Sequence, residues 1–444
     1  MRRIFLVPVL LVLLRGLPAC GAESVSARLA SAGRLGVSLA AAEDMEGKLG
    51  QLFIVNVDGF QYEGALAVHP AYVELAESLK VGGVIPHYGS ASFAKIRDTN
   101  RELARRVPSL LIASDLVTLA GETPASTGRK TAKASFGDGY VGGFIGRYRS
   151  LPDDGFAGLA YLDAFVYRAL GVNCAFGPTV DNSTEDGRTA QRAGALLSAY
   201  GRFGVQATLK HWPFIPAGTN LHRSSADTKV TAQELQGLTA VFRHLAPRAD
   251  LMMSTHVFDS LVDPASLVTF SPSWLAMLRR DTGFRGLLVS DGLLMLRSYR
   301  ALAAPPRPIP GLGSTEEDEY AGWVMRAILA GHDMVILEGT AWTTRKVFEK
   351  VLALACRSDG QAVELRERIS ASHARIMEFK RQHAAQINDS VDAPSDLVGE
   401  ILETVSAVQD SSSAAAAMPD LDAFHRLKTE IDWVCRKLPF RARR

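Results

Sequence analysis

Along this chain, short apolar runs alternate with longer stretches whose apolar residues recur every three or four positions. The runs occupy residues 52–57, 81–87, 109–115, 174–181, 205–212, 251–257, 286–291 and 333–337. Most are apolar throughout, the pattern of parallel strands covered on both faces. Helical spacing fills the gaps at 91–106, 190–203, 232–245, 273–280 and 321–330. Eight such units in one run predict an α/β fold, a closed (β/α)8 TIM barrel rather than an open doubly wound sheet. The barrel is expected over 46–385, after a helical lead-in at 21–45 whose periodicity runs over 23–48. A helical C-terminal extension, 386–444, follows. Its low-complexity stretch 410–420 (DSSSAAAAMPD) reads as a linker. Leu421, Phe424, Leu427, Ile431 and Val434 then follow helical spacing and predict a last helix packed back on the barrel. Its basic end (Arg436, Lys437, Arg441, Arg443, Arg444) reads as a solvated tail.

The first residues follow a different pattern. Met1-Arg2-Arg3 is basic, and residues 4–14 form an apolar run of export-signal length, too short to span a bilayer. Residues 17–21 (LPACG) resemble the lipobox of bacterial lipoproteins, in which the cysteine is lipidated and becomes the mature N-terminus. Residues 1–20 therefore read as a signal peptide with Cys20 as lipid attachment site; an ordinary cleaved signal containing a cysteine is the alternative. The expected location is the bacterial periplasm or cell envelope, with the membrane as a partner through the anchor.

Composition narrows the chemistry. Of 444 residues, 47% are hydrophobic and 22% charged, enough apolar material for a large core. A formal net charge of +2 gives no reason to propose nucleic acid as a partner. The cysteines (Cys20, Cys174, Cys356, Cys435) form no CxxC pair, which argues against zinc. Cys174 lies in an apolar run and reads as a buried thiol.

Candidate chemistry sits at the strand ends. His87, Asp115, Asp181, Lys210-His211, His256 and Asp291 close six of the apolar runs. In a TIM barrel these ends form the active face. Each could cap a loop. Together they would gather carboxylates, imidazoles and an ammonium group in one pocket, a mixture suited to sugar hydroxyls and acid–base work.

Residues 283–295 (GFRGLLVSDGLLM) resemble the nucleophile segment of the family 3 glycoside hydrolases, with Asp291 at the nucleophile position and Gly292 where a second acid is usual. Other segments are similar in the same order: 48–53 (KLGQLF), 81–85 (VGGVI), 176–181 (FGPTVD), 187–189 (GRT), 210–213 (KHWP), 253–256 (MSTH) and 330–334 (AGHDM). The resemblance covers roughly 45–385 and points to the β-N-acetylhexosaminidase branch, in its single-barrel lipoprotein form. It implies a retaining mechanism: Asp291 attacks the anomeric carbon and a histidine on the loop after strand 5 protonates the leaving oxygen. His222 in 218–222 (GTNLH) matches that histidine, and Asn220 stands where its orienting aspartate is usual. Asparagine brings no negative charge to an imidazolium. The resemblance further implies that Asp115, Arg188, Lys210, His211 and His256 hold the sugar. Two loops depart from it: 115–121 (DLVTLAG) replaces DQEGGRV, and 214–217 (FIPA) replaces Gly-His-Gly. The expected substrate is a terminal β-linked N-acetylhexosamine, on peptidoglycan fragments or glycans, with no metal or organic cofactor implied. The alternative is a degenerate barrel lipoprotein that binds sugar or a partner protein without turnover.

Overall fold

The computed structural model describes residues 24–58, 64–88, 91–114, 116–120, 133–137, 152–180, 187–216, 227–388, 397–401 and 421–435. Eight parallel strands close into a barrel: β1 (Phe53–Asp58), β2 (Gly83–His87), β3 (Leu111–Ser114), β4 (Cys174–Ala175), β5 (Gln206–Trp212), β6 (Leu251–Ser254), β7 (Leu287–Gly292) and β8 (Met334–Leu337). Strand order around the ring follows chain order, and β1 closes it against β8 with Phe53 opposite Val335 and Val55 opposite Leu337. This is the (β/α)8 barrel that the periodicity predicts. The strands are buried nearly throughout, which explains why their sequences do not alternate.

Turn and cap chemistry sets the helix ends. Ser92 accepts from the Lys95 N–H, and Thr231/Glu234 and Thr315/Asp318 form reciprocal capping boxes at the starts of Ala232–Leu238 and Glu316–Ala330. The helix Pro272–Thr282 stops at Gly283, whose φ of 66° is left-handed. It thereby turns the chain into β7.

Three expectations are corrected in detail. The stretch 232–245 is two helices, Ala232–Leu238 and Ala240–Leu245, divided at Thr239, whose hydroxyl donates back to Leu235 O at 2.7 Å. The lead-in also divides, into Val25–Ser31 and Leu39–Gln51, around Gly33 at φ 67°. The apolar run 174–181 pairs as a strand only at Cys174–Ala175, with one further bridge from Thr179 to Lys210. Pro178 falls within it and has no N–H to give a ladder. A hairpin of Leu116–Ala120 and Lys133–Gly137 follows β3, where the periodicity predicts no strands.

The terminal helix Leu421–Cys435 lies where the spacing predicts, with Leu427 and Ile431 fully buried. Asp432 ties it to the barrel, accepting from Tyr161 OH at 2.6 Å and Arg202 at 2.8 Å. The basic tail, the signal segment and Cys20 lie outside the described residues. Among the described residues no helix is long and apolar enough to cross a membrane.

The N-terminal mouth of the barrel is closed by helices and by paired charge. Asp333, just before β8, is fully buried and meets Arg279 at 2.7 Å, Arg375 at 2.6 Å and the Leu288 N–H at 3.0 Å. Lys380, on the helix Gly360–Gln382, donates to Gln51 Oε1 at 2.8 Å and Gly82 O at 2.9 Å.

Candidate active site

The opposite mouth collects the predicted site residues. Asp291 is the penultimate residue of β7, and 18% of its side chain stays open to solvent. Its Oδ1 accepts the Gly292 N–H at 2.7 Å, and His211 Nε2, from β5, stands 3.9 Å from its Oδ2. Lys210, beside His211, is buried. The Lys210–His211 peptide is cis, as are Gly177–Pro178 and Trp212–Pro213.

Burial by itself would raise the Asp291 carboxyl. The charges of His211 and His256, the Gly292 N–H and Lys210 outweigh it and hold the group below its ordinary value. A carboxylate kept ionised in a half-closed crevice is what a glycosyl nucleophile requires.

His256, just after β6, is completely buried beneath this carboxylate. Its Nε2 lies 3.0 Å from Gly292 O, a carbonyl that can only accept. Its Nδ1 lies 2.5 Å from Thr269 Oγ1, and that hydroxyl gives its hydrogen to Thr255 O at 3.0 Å. Facing a carbonyl, Nε2 is a donor. The expected direct sugar contact is not open to it here. Its hydrogen bond goes instead to the carbonyl of the Gly292–Leu293 peptide. The contrast with His332 is instructive. That ring donates Nδ1–H to Ala327 O at 2.9 Å and accepts from Ser254 at 2.8 Å, and burial pushes it down to about 4, so it is neutral.

Arg188 opens the helix Gly187–Phe203 with an exposed side chain that pairs with Asp153 at 3.0 Å, beside Arg192 at 3.2 Å. Asp115, Asp181, Asn220 and His222 lie outside the described residues. Among the described residues no cluster of His, Cys, Asp or Glu could hold a metal ion.

Two acidic strand ends escape the pattern of apolar runs. Asp58 ends β1, one residue beyond the run recognised in the sequence. Burial lowers His87, at the tip of β2, and Asp58 partly offsets that; burial and Asp58 both raise Tyr72. Glu338 follows β8 and is hidden because the apolar run closes at Leu337.

Residues 163–378, which carry β4 to β8, match the sequence model of the glycosyl hydrolase family 3 N terminal domain. This part of the barrel, β4 to β8, belongs to glycoside hydrolase family 3. Among curated relatives of this family 3 barrel, a β-hexosaminidase of Stenotrophomonas maltophilia (strain K279a) is 32% identical over 166 residues, covering 33% of this chain and 49% of the relative. One from Xylella fastidiosa (strain 9a5c) is 30% identical over 196 residues, covering 40% of this chain and 53% of the relative. The chain thus spans about half the length of the curated relatives it matches. Among solved structures, a family 3 β-N-acetylglucosaminidase from Paenibacillus sp. str. FPU-7 superposes with a TM-score of 0.58 at 21% identity, over 87% of this chain and 68% of that one. A β-N-acetylhexosaminidase from Beutenbergia cavernae gives 0.56 at 17% identity, over 76% and 98%. At these identities the structural likeness speaks for the fold.

Proposed function

We propose that this protein is an exported retaining glycosidase that removes terminal β-linked N-acetylhexosamine from peptidoglycan fragments or glycans. The observation that carries the reading is Asp291: a strand-end carboxylate, partly open, flanked by cationic groups and held in its ionised form. In the proposed cycle Asp291 displaces the aglycone from the anomeric carbon, while His222 delivers a proton to the departing oxygen. Water then enters, His222 takes its proton, and Asp291 leaves as carboxylate. His211 and Lys210 hold ring hydroxyls in this reading. His256 acts through the Gly292 carbonyl. Cys20 carries a lipid that keeps the enzyme at the membrane surface.

The test is hydrolysis of an aryl β-N-acetylglucosaminide. Release of the aryl alcohol with a burst, and mass labelling of Asp291 by a slow-leaving fluorosugar, is the expected result. Sugar binding without release would favour the second reading, a barrel that binds without turnover. Asn220 in place of the acid beside His222 is the sequence feature behind it. Asn220→Asp separates the two: restoring the negative charge raises kcat in an enzyme and leaves a pure binder inert. The corresponding loss in serine proteases is about 10⁴-fold, an upper guide to the gain.

A further inference from the structure

A Cβ built on Gly292 would lie 2.5 Å from Glu338 Oε2 and 2.8 Å from its Cδ, closer than real Cβ atoms come. The carboxyl group of Glu338 thus occupies the notch beside Gly292, and a side chain at 292 would have to push it aside. Glu338 reaches it from the neighbouring strand end, since β8 pairs with β7 and Gly292 sits opposite Ile336. Its backbone is fixed by the buried Tyr320. The Glu338 N–H donates to Tyr320 Oη at 2.8 Å, and the Tyr320 hydroxyl donates to Glu338 O at 3.1 Å. The side chain is half-buried.

The resemblance places a second acid directly after the nucleophile, and this chain has none there. We infer that Glu338 is the second carboxylate of this site, carried on β8 instead of β7, and that it binds the pyranose ring beside Asp291. An ionised carboxylate offers acceptors only, which suits a hydroxyl or amide donor of a sugar. His256 and Lys210, whose charges both act on Asp291, supply positive charge beside two neighbouring acids. The substrate class is thus a pyranoside with donors on the ring face turned toward β8. This rests on the glycosidase reading above.

Three variants test it: Glu338→Gln, Gly292→Asp, and the double exchange Gly292→Asp/Glu338→Gly. N-acetylglucosamine binding by calorimetry, turnover of the aryl glycoside and Tm are the readouts. Glu338→Gln keeps the shape and Tm and weakens sugar binding and KM by about tenfold or more, as loss of a charged hydrogen bond does. Gly292→Asp pushes the Glu338 carboxylate aside and weakens binding. The double exchange clears the notch, returns the acid to β7 and recovers binding relative to Gly292→Asp alone. Unchanged affinity in Glu338→Gln, or a folded double exchange no better than Gly292→Asp, overturns the inference. A wild-type protein that binds the sugar without cleaving it removes the glycosidase reading but leaves the binding comparison intact. One that binds no pyranoside overturns both.

Discussion

At the N-terminal mouth of the barrel, Asp333 is fully buried and its oxygens are taken up by two arginines and a backbone N–H, all within 3.0 Å. At the C-terminal mouth, Asp291 is also surrounded by positive charge, yet its ion pair with His211 spans 3.9 Å and part of the carboxylate faces solvent. Both acids sit at ends of adjacent strands in one sheet. One is saturated by protein; the other is stabilised but still has room for a reacting atom. Saturation serves stability, and stabilisation without saturation serves chemistry.

The largest effects should separate these two acids. Asp291→Asn is expected to cut kcat/KM for the aryl glycoside by at least about 10³-fold while the melting temperature holds. A variant retaining turnover would remove the nucleophile from β7. Asp333→Ala should do the reverse. It strands Arg279 and Arg375, and breaking such a buried cluster costs about 3–5 kcal/mol, read as a lowered urea midpoint. Activity per folded molecule should stay unchanged. If Asp333→Ala lost turnover without losing stability, the division between the two mouths would be wrong.

The barrel was legible because buried parallel strands need continuous apolar runs, and all eight survive folding. The place of Asp291 was legible for a related reason. An acid is costly to bury unpaired, so an apolar strand that carries one carries it at the end, out at the mouth. What escaped the sequence depended on distance across the ring. Nothing in residues 337–340 (LEGT) announces that Glu338 occupies space beside Gly292, because the two are far apart in the chain. Nor does 253–256 (MSTH) reveal that His256 turns inward to a carbonyl. Its partner Thr269 comes from a short 3₁₀ turn that carries no periodic signal.

His256 sharpens the comparison at the upper mouth alone. Its charge helps hold Asp291 below the ordinary carboxylate value. In His256→Gln that cation is gone and the Asp291 pKa rises. The carboxylate is then protonated at a higher pH, so the acid limb of the kcat/KM profile must move upward in pH. Outer partners that orient a functional group through a hydrogen bond typically carry about 10–100-fold in activity. A drop of that size with an unmoved acid limb would mean that His256 merely supports the backbone.

The smallest expected effect lies at the lower mouth and is read through pH. Burial pushes Lys380 from its ordinary 10.5 down to about 7, although its ammonium donates to Gln51 and Gly82. Between those values the unfolded chain binds a proton that the folded protein does not. Stability from this group must therefore rise with pH across that window, and its burial cost is present in full below about 7. The slope is at most about 1.4 kcal/mol per pH unit, so roughly 1 kcal/mol separates pH 7.5 from pH 8.5. Lys380→Met removes the titration while leaving every other group in common. Urea unfolding of both proteins at the two pH values should show the wild type gaining on the variant as pH rises. Parallel behaviour would mean that Gln51 and Gly82 hold Lys380 charged.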